Sequence, residues 1–246
     1  MKALILAGGK GTRLTDQPDA PPKPLLKVGD KRLMDFSLQN AVSAGVTEII
    51  VVVSYVTEEV INHYGPQYRG VPITYKIQND PRGLVHAIEC AAGAIGSSDF
   101  ILMLADEVFL AFSVTPLVER FHDEQLFAVL GVVEVDDRRR ISKTYSILAD
   151  SATGRIHRLI EKPRRPHDRI MGTGNCVLSN GILSYIDVTP VNQVRGEKEL
   201  PDLIQCAVDD GQPVKMHIIS DRYINVNSME DFRSAYDLLT HHGGLF

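Results

Sequence analysis

A chain of 246 residues is long enough to bury a sizeable core without disulfide or metal staples, which excludes the small disulfide scaffolds. Its formal net charge of -5, with 23% charged residues, leaves no basic excess to neutralise a nucleic-acid backbone, so a nucleic-acid partner is not expected while small anionic ligands stay open. Three cysteines, Cys90, Cys176 and Cys206, cannot all pair and lack metal-ligand spacing, which suits a reducing cytosol and offers no zinc site.

Apolar runs rich in Ile, Val and Leu at 3–6, 49–53, 73–77, 100–104 and 127–132 read as strands buried on both faces of a sheet. Helical patterns at 33–44, 57–64 and 84–94 fall between them. The alternation predicts an α/β fold, a mainly parallel mixed sheet flanked by helices. Past about residue 135 the rhythm changes to shorter extended pieces at 145–148 and 156–160, separated by charged and Pro-rich loops. Helical patterns return at 200–209 and 229–240, the second opened by Ser228 with Asp231 three residues on, an acidic variant of the capping box. No Gly/Ser-rich linker, internal repeat or low-complexity segment separates the halves. One domain over 1–246 is therefore expected, about 1–135 forming one half and about 136–246 a second that shares its sheet. The first residues run straight into glycines, and no apolar stretch approaches the ~20 residues that span a bilayer, so a cytoplasmic chain without a membrane partner is expected.

The first strand leads directly into Leu6-Ala7-Gly8-Gly9-Lys10-Gly11-Thr12-Arg13-Leu14. Backbone without side chains at a strand's carboxyl end can approach a phosphate and aim N–H groups at it, or it can simply turn tightly into a helix. Neither common phosphate fingerprint fits, because Leu14 stands where a third glycine is needed and no G-x-x-x-x-G-K-[ST] string exists. Arg13 closes the loop, and Lys23 follows in Pro21-Pro22-Lys23-Pro24, where prolines on both sides stiffen the backbone and discourage helix. These two cations either face one polyphosphate or are solvated surface charges. The run at 100–104 ends in Ala105-Asp106-Glu107, two carboxylates at the edge of a parallel sheet. Magnesium favours carboxylate and phosphate oxygens, whereas a strand-end Asp can also just cap a turn.

The glycine loop, with Lys23-Pro24-Leu25-Leu26 at this distance, resembles the signature of sugar-1-phosphate nucleotidylyltransferases, above all the glucose-1-phosphate thymidylyltransferase and uridylyltransferase branch. The resemblance extends over nearly the whole chain, since further stretches match in the family's order. Gln78-Asn79-Asp80-Pro81-Arg82-Gly83-Leu84-Val85-His86-Ala87 is similar to Q-x-x-P-x-G-L-A-x-A, whose Gln side chain and Gly backbone read a pyrimidine edge. An amide does offer the donor and acceptor that thymine or uracil require. His86 is expected to be a helix-face residue, neither ligand nor general base. Thr144-Tyr145-Ser146-Ile147, Gly154-Arg155-Ile156 and Ile160-Glu161-Lys162-Pro163 resemble R-Y-G-V, G-x-I and E-K-P, with Ser146 where a glycine commonly touches the sugar. Gly172-Thr173-Gly174-Asn175-Cys176 loosely matches a G-x-Y-x-F element. Gly196-Glu197-Lys198-Glu199-Leu200-Pro201-Asp202 resembles G-E-x-E-x-T-D, with Glu197 a candidate for sugar contact and helix capping the alternative for the segment. Tyr223-Ile224-Asn225-Val226-Asn227 resembles W-x-D-x-G with Asn225 in place of a metal-binding Asp. The V-N-N context of N-acetylglucosamine-1-phosphate uridylyltransferases makes Asn227 its alternative.

The resemblance implies a Rossmann-like nucleotide-diphospho-sugar transferase fold and nucleotidyl transfer from a nucleoside triphosphate, dTTP or UTP, to a sugar 1-phosphate, with Mg²⁺. It assigns catalysis to Arg13, Lys23, Asp106 and Lys162. It assigns the nucleotide to Leu6, Ala7, Gly8, Gly9, Gly11, Thr12, Gln78, Pro81 and Gly83. The sugar phosphate falls to Ser146, Glu161, Lys162, Gly174 and Glu197, and the metal to Asp106 with Asn225 or Asn227. The alternatives are a cytidylyl- or guanylyltransferase acting on another phosphorylated sugar, alcohol or amine, and a non-catalytic regulatory homologue that binds nucleotide sugars. A homodimer is implied by the family alone. The chain ends soon after the helical pattern at 229–240, so feedback control through an extra C-terminal segment is not expected.

Overall fold

A computed structural model of the chain describes residues 1–9, 21–54, 57–110, 112–220 and 222–242. The expected contributions of Gly11, Thr12 and Arg13 lie outside the described residues.

Four parallel strands make the frame: β1 (Lys2–Leu6), β2 (Ile49–Val53), β4 (Val71–Ile77) and β5 (Phe100–Leu104), with the short β3 (Gln67–Tyr68) at the β4 edge. Their spatial order is β5-β1-β2-β4. Alternate side chains enter opposite cores. Leu4, Leu6, Ile50, Val52, Phe100 and Leu102 pack with Val85, Ile88, Ala91 and Ile95 of α3 (Gly83–Ile95). Ala3, Ile5, Ile49, Val51, Ile101 and Met103 pack with Met34, Leu38 and Ala41 of α1 (Leu33–Ser43) and with Val60 of α2 (Thr57–Tyr64). Burial on both faces explains the unbroken Ile/Val/Leu runs.

The chain proceeds from β1 outward through β2 to β4, then returns to place β5 on the other side of β1. The carboxyl ends of β1 and β5 therefore straddle a topological switch point, where α/β sheets open a crevice. Leu6 pairs with Leu104 there, and Ala105 donates its N–H to the Leu6 carbonyl at 3.1 Å. Gly8 and Asp106 are neighbours for this reason.

The remaining strands are mostly antiparallel. They are β6 (Glu107–Phe109), β7 (Ala128–Glu134), β8 (Tyr145–Ala149), β9 (Ile156–Glu161), β10 (Ile170–Leu178), β11 (Val214–Ile218) and β12 (Tyr223–Asn225). β10 is the hinge of the sheet: its end pairs with β5, its start with β8, and β7 lies along both parts. Both halves of the chain thus share one ten-stranded sheet. Gly172 and Gly174 in β10 give room to neighbours, since a Cβ on Gly172 would lie 2.0 Å from the Tyr145 ring and one on Gly174 2.2 Å from Leu104 Cγ. Three helices complete the fold: α4 (Thr115–Asp123), α5 (Leu200–Asp209) and α6 (Met229–His242). No helix among the described residues is long and apolar enough to cross a membrane.

Candidate active site

The switch-point crevice opens into a cleft of about 550 Å³. From the first half Leu6, Gly8, Gly9, Gln78, Pro81 and Gly83 line it. Asp106, Asn225 and Asn227 line it at the centre, and Glu161, Lys162, Gly174 and Glu197 line it from the second half. Of the remaining residues expected from the sequence, Lys23 and Ala7 line a small adjoining recess that shares Asp106. Ser146 does not line the cleft; it is buried in β8 opposite Ile160 and Met171.

Lys23 sits in a short 3₁₀ turn, Lys23–Leu25, where the flanking prolines led to an expectation of no helix. Pro24 is tolerated because the first turn of a helix needs no amide N–H. The Lys23 ammonium, almost fully buried, lies 2.5 Å from Asp106 Oδ2 and donates to Asn227 Oδ1 at 3.0 Å. Asn227 in turn donates from Nδ2 to Asn225 Oδ1 at 2.8 Å, so its amide orientation is set with the oxygen on the cation side. Its backbone is held too: Asp231 Oδ2 accepts from Asn227 N at 3.0 Å and from Ser228 Oγ at 2.8 Å, forming the cap expected at the start of α6. Asn225 and Asn227 are therefore linked members of one cluster.

Asp106 and Glu107 part company. Both line the cleft, but Glu107 is buried in its floor. Its Oε1 accepts from Gly174 N at 2.8 Å and Tyr223 OH at 2.7 Å, and Oε2 accepts from Asn175 Nδ2 at 2.6 Å. Burial pushes this carboxyl up to about 8, against the Gly174 N–H and the Tyr223 hydroxyl, which favour its ionised form. The β6–β12 ribbon places Asn225 opposite Glu107, and Val226 N donates to the Asp106 carbonyl at 2.9 Å. Glu107 thereby braces the loop that carries Asp106, a role its position in the sequence did not disclose.

At the other end, Lys162 adopts φ +43, a left-handed conformation uncommon for a side chain with a Cβ, and its N–H is fixed on the Thr144 carbonyl at 2.7 Å. Its ammonium is 3.2 Å from Glu161 Oε1. Arg195, absent from the expected set, lies 2.5 Å from Glu161 Oε1 and 2.7 Å from Glu199 Oε1. Burial, followed by the Glu161 charge, pushes the Glu199 carboxyl up. The Arg195–Glu199 approach is an ion pair without hydrogen-bond alignment, since Glu199 Oε1 has no aligned donor. Both residues flank Gly196-Glu197, so the motif itself was the signal that could have found them.

Gly83, at φ +89, opens α3 against the second half: a Cβ there would fall 2.9 Å from Glu197 Oε2. Gln78 lies alongside, buried, donating from Nε2 to the Gly83 carbonyl at 3.1 Å. The turn at Gly83 and the segment carrying Glu197 are thus in direct contact.

The model of the nucleotidyl transferase family matches residues 2–240. The chain belongs to that family. Members similar to it include the low-salt glycan biosynthesis nucleotidyltransferase Agl11 of Haloferax volcanii, 31% identical over 97% of this chain and 66% of that protein. The UTP–glucose-1-phosphate uridylyltransferase AglF of the same organism is 33% identical, over 94% of this chain and 93% of its own length. The chain thus spans about two thirds of the first relative and nearly all of the second. A UDP-glucose pyrophosphorylase solved with UDP-glucose superposes with a TM-score of 0.86 at 20% identity, covering 96% of this chain and 97% of that one, and shares the fold. For a nucleotidyl transferase, the informative feature is the placing of cations, Lys162 and Arg195 in the cleft and Lys23 in the recess that adjoins it at Asp106.

Proposed function

We propose that the chain transfers a nucleotidyl group from UTP or dTTP to a sugar 1-phosphate. The observation that carries this reading is that Asp106 and Lys162, drawn from distant segments, line one cleft that also holds Gln78, with Lys23 reaching Asp106 from the adjoining recess. In the reaction a phosphate oxygen of the sugar 1-phosphate forms a bond to the α-phosphorus as the bond to pyrophosphate breaks. The nucleophile is already an anion, so no general base is needed, and the protein's task is to hold two repelling anions in line. Gly8 and Gly9 offer side-chain-free backbone to the triphosphate. Lys23 faces the α-phosphate region, while Lys162 and Arg195 face the sugar phosphate. Glu161 and Glu197 are acceptors for sugar hydroxyls. Arg13, Gly11 and Thr12 belong to the same reading on the sequence resemblance.

The donor set fits a magnesium ion. Asp106 and Asn227 already present oxygens to one cation, the Lys23 ammonium, and Asn225 Oδ1, which accepts from Asn227 Nδ2, lies beside them. Among the described residues no group of three His, Cys, Asp or Glu gathers to hold a metal unaided, so Asp106 with Asn227 or Asn225 would hold the ion together with phosphate oxygens of the substrate. When bound, Mg²⁺ supplies charge neutralisation at the α-phosphate.

The test is pyrophosphate release measured for UTP, dTTP, CTP, GTP and ATP against a panel of sugar 1-phosphates. Turnover is expected with UTP or dTTP and a hexose 1-phosphate. Turnover confined to CTP or GTP would replace the uracil-or-thymine reading, and nucleotide-sugar binding without pyrophosphate from any pair would make the chain a regulatory homologue.

A further inference from the structure

His86 is half-buried on α3, and it touches Gln78: Gln78 Nε2 is 2.9 Å from His86 Nδ1 and 3.1 Å from the Gly83 carbonyl oxygen. A carbonyl oxygen can only accept, so the atom facing it must be the amide nitrogen, and this settles which way the carboxamide is turned. The second amide hydrogen then points at Nδ1, which must carry a lone pair. The imidazole proton is accordingly on Nε2, where Cys90 Sγ, one turn along the helix, lies 3.8 Å away as a weak acceptor. Both Gln78 N–H groups are consumed inside the protein. Its Oε1 is left on the Gly8 side of the cleft, 3.3 Å from where a Cβ on Gly8 would stand, and no described residue donates to it.

We infer that His86 is a positioning residue that locks Gln78 as a hydrogen-bond acceptor and so sets the base the cleft admits, on the footing of the nucleotide reading above. An acceptor at this point matches the N3–H of uracil or thymine. It opposes cytosine, whose N3 bears a lone pair. A turned amide would offer N–H instead and reverse the preference.

One contact opposes this arrangement. Arg82 Nη2 lies 2.9 Å from His86 Nε2, and a guanidinium cannot accept a hydrogen bond. The other tautomer would suit Arg82 but require Gln78 Oε1 to face Nδ1–H and, at the same time, the Gly83 carbonyl. The Gly83 carbonyl is fixed at the start of α3, whereas Arg82 is 63% exposed and only loosely paired to Asp80 at 3.8 Å. Arg82 is the group that gives way.

The experiment measures dissociation constants of UTP and CTP by calorimetry, and KM and kcat for both, in the wild type and in His86→Leu, His86→Ala, His86→Asn and Arg82→Ala. Asparagine can place an amide oxygen near the position of Nδ1. The UTP-to-CTP preference is expected to fall about fivefold or more in the Leu and Ala variants, the worth of one neutral hydrogen bond, through KM with kcat little changed. His86→Asn should restore it, and Arg82→Ala should leave it intact. A preference retained in the folded Leu and Ala variants overturns the inference while leaving the uracil-or-thymine reading standing. Equal binding of UTP and CTP by the wild type overturns both.

Discussion

Alanine in place of Lys23 or Asp106 is expected to cut pyrophosphate release by about a hundredfold to a thousandfold, the usual cost of removing a preorganised charge from a site of developing charge. The two substitutions act on one unit. The Lys23 ammonium is 2.5 Å from Asp106 and 3.0 Å from Asn227 Oδ1, so each side chain holds the other's geometry in the free protein. The double variant should therefore be scarcely slower than the worse single one, as for residues that work together. Lys23→Ala removes the cation facing the triphosphate, and the loss should fall on kcat, because the charge it answers grows in the transition state. Lys23→Arg is no rescue, since a planar fork cannot reproduce a point charge lodged between a carboxylate and an amide oxygen. Initial rates with UTP and the preferred sugar 1-phosphate, alongside thermal melting, check this. Wild-type turnover in both single variants would remove Lys23 and Asp106 from the chemistry.

Glu107→Ala should be the most damaging change to stability near the cleft, about 3–5 kcal/mol, because it strips three buried donors of their acceptor and leaves a void. Gly174 N, Asn175 Nδ2 and Tyr223 OH all end on this carboxyl group, and they belong to β10 and β12, so it ties both strands to β6. The Tyr223 ring also packs on Phe109 at 4.9 Å between centroids, so loosening its hydroxyl loosens an aromatic contact. Glu107→Gln keeps the size and an acceptor oxygen and should lose about 1 kcal/mol, roughly one imperfect hydrogen bond. Urea unfolding of both variants measures the difference. Equal, small losses would mean that the bonds to Glu107 do not brace the Asp106 loop.

The frame was readable because its strands are buried on both faces. The runs at 49–53 and 100–104 coincide with Ile49–Val53 and Phe100–Leu104 to the residue. Ile170–Leu178, the strand that joins the halves, was read only as a motif. Its Gly172, Thr173, Gly174 and Asn175 look like a turn, yet they are small because the Tyr145 ring and Leu104 occupy the space beside them. Val214–Ile218 escaped notice through its mixed V-K-M-H-I composition, and Thr115–Asp123 because it buries only Leu117 and Phe121. In the site, glycines and charges at strand ends were visible, which is why Gly8, Gln78, Gly83 and Asp106 stood out. Partnerships were not. Arg195 meets Glu161 across 34 residues and Tyr223 meets Glu107 across 116, separations that no local pattern encodes. His86 was legible as a helix-face residue, while its hold on Gln78 needed coordinates.

The central claim is that one cleft holds base, phosphates and sugar between the two halves of the chain. A crystal structure with UDP-glucose and magnesium tests it most directly. The account predicts the uracil N3–H on Gln78 Oε1, the diphosphate between Lys23 and Lys162, and the sugar hydroxyls against Glu161 or Glu197. A nucleotide sugar bound with its phosphates away from both lysines would contradict it.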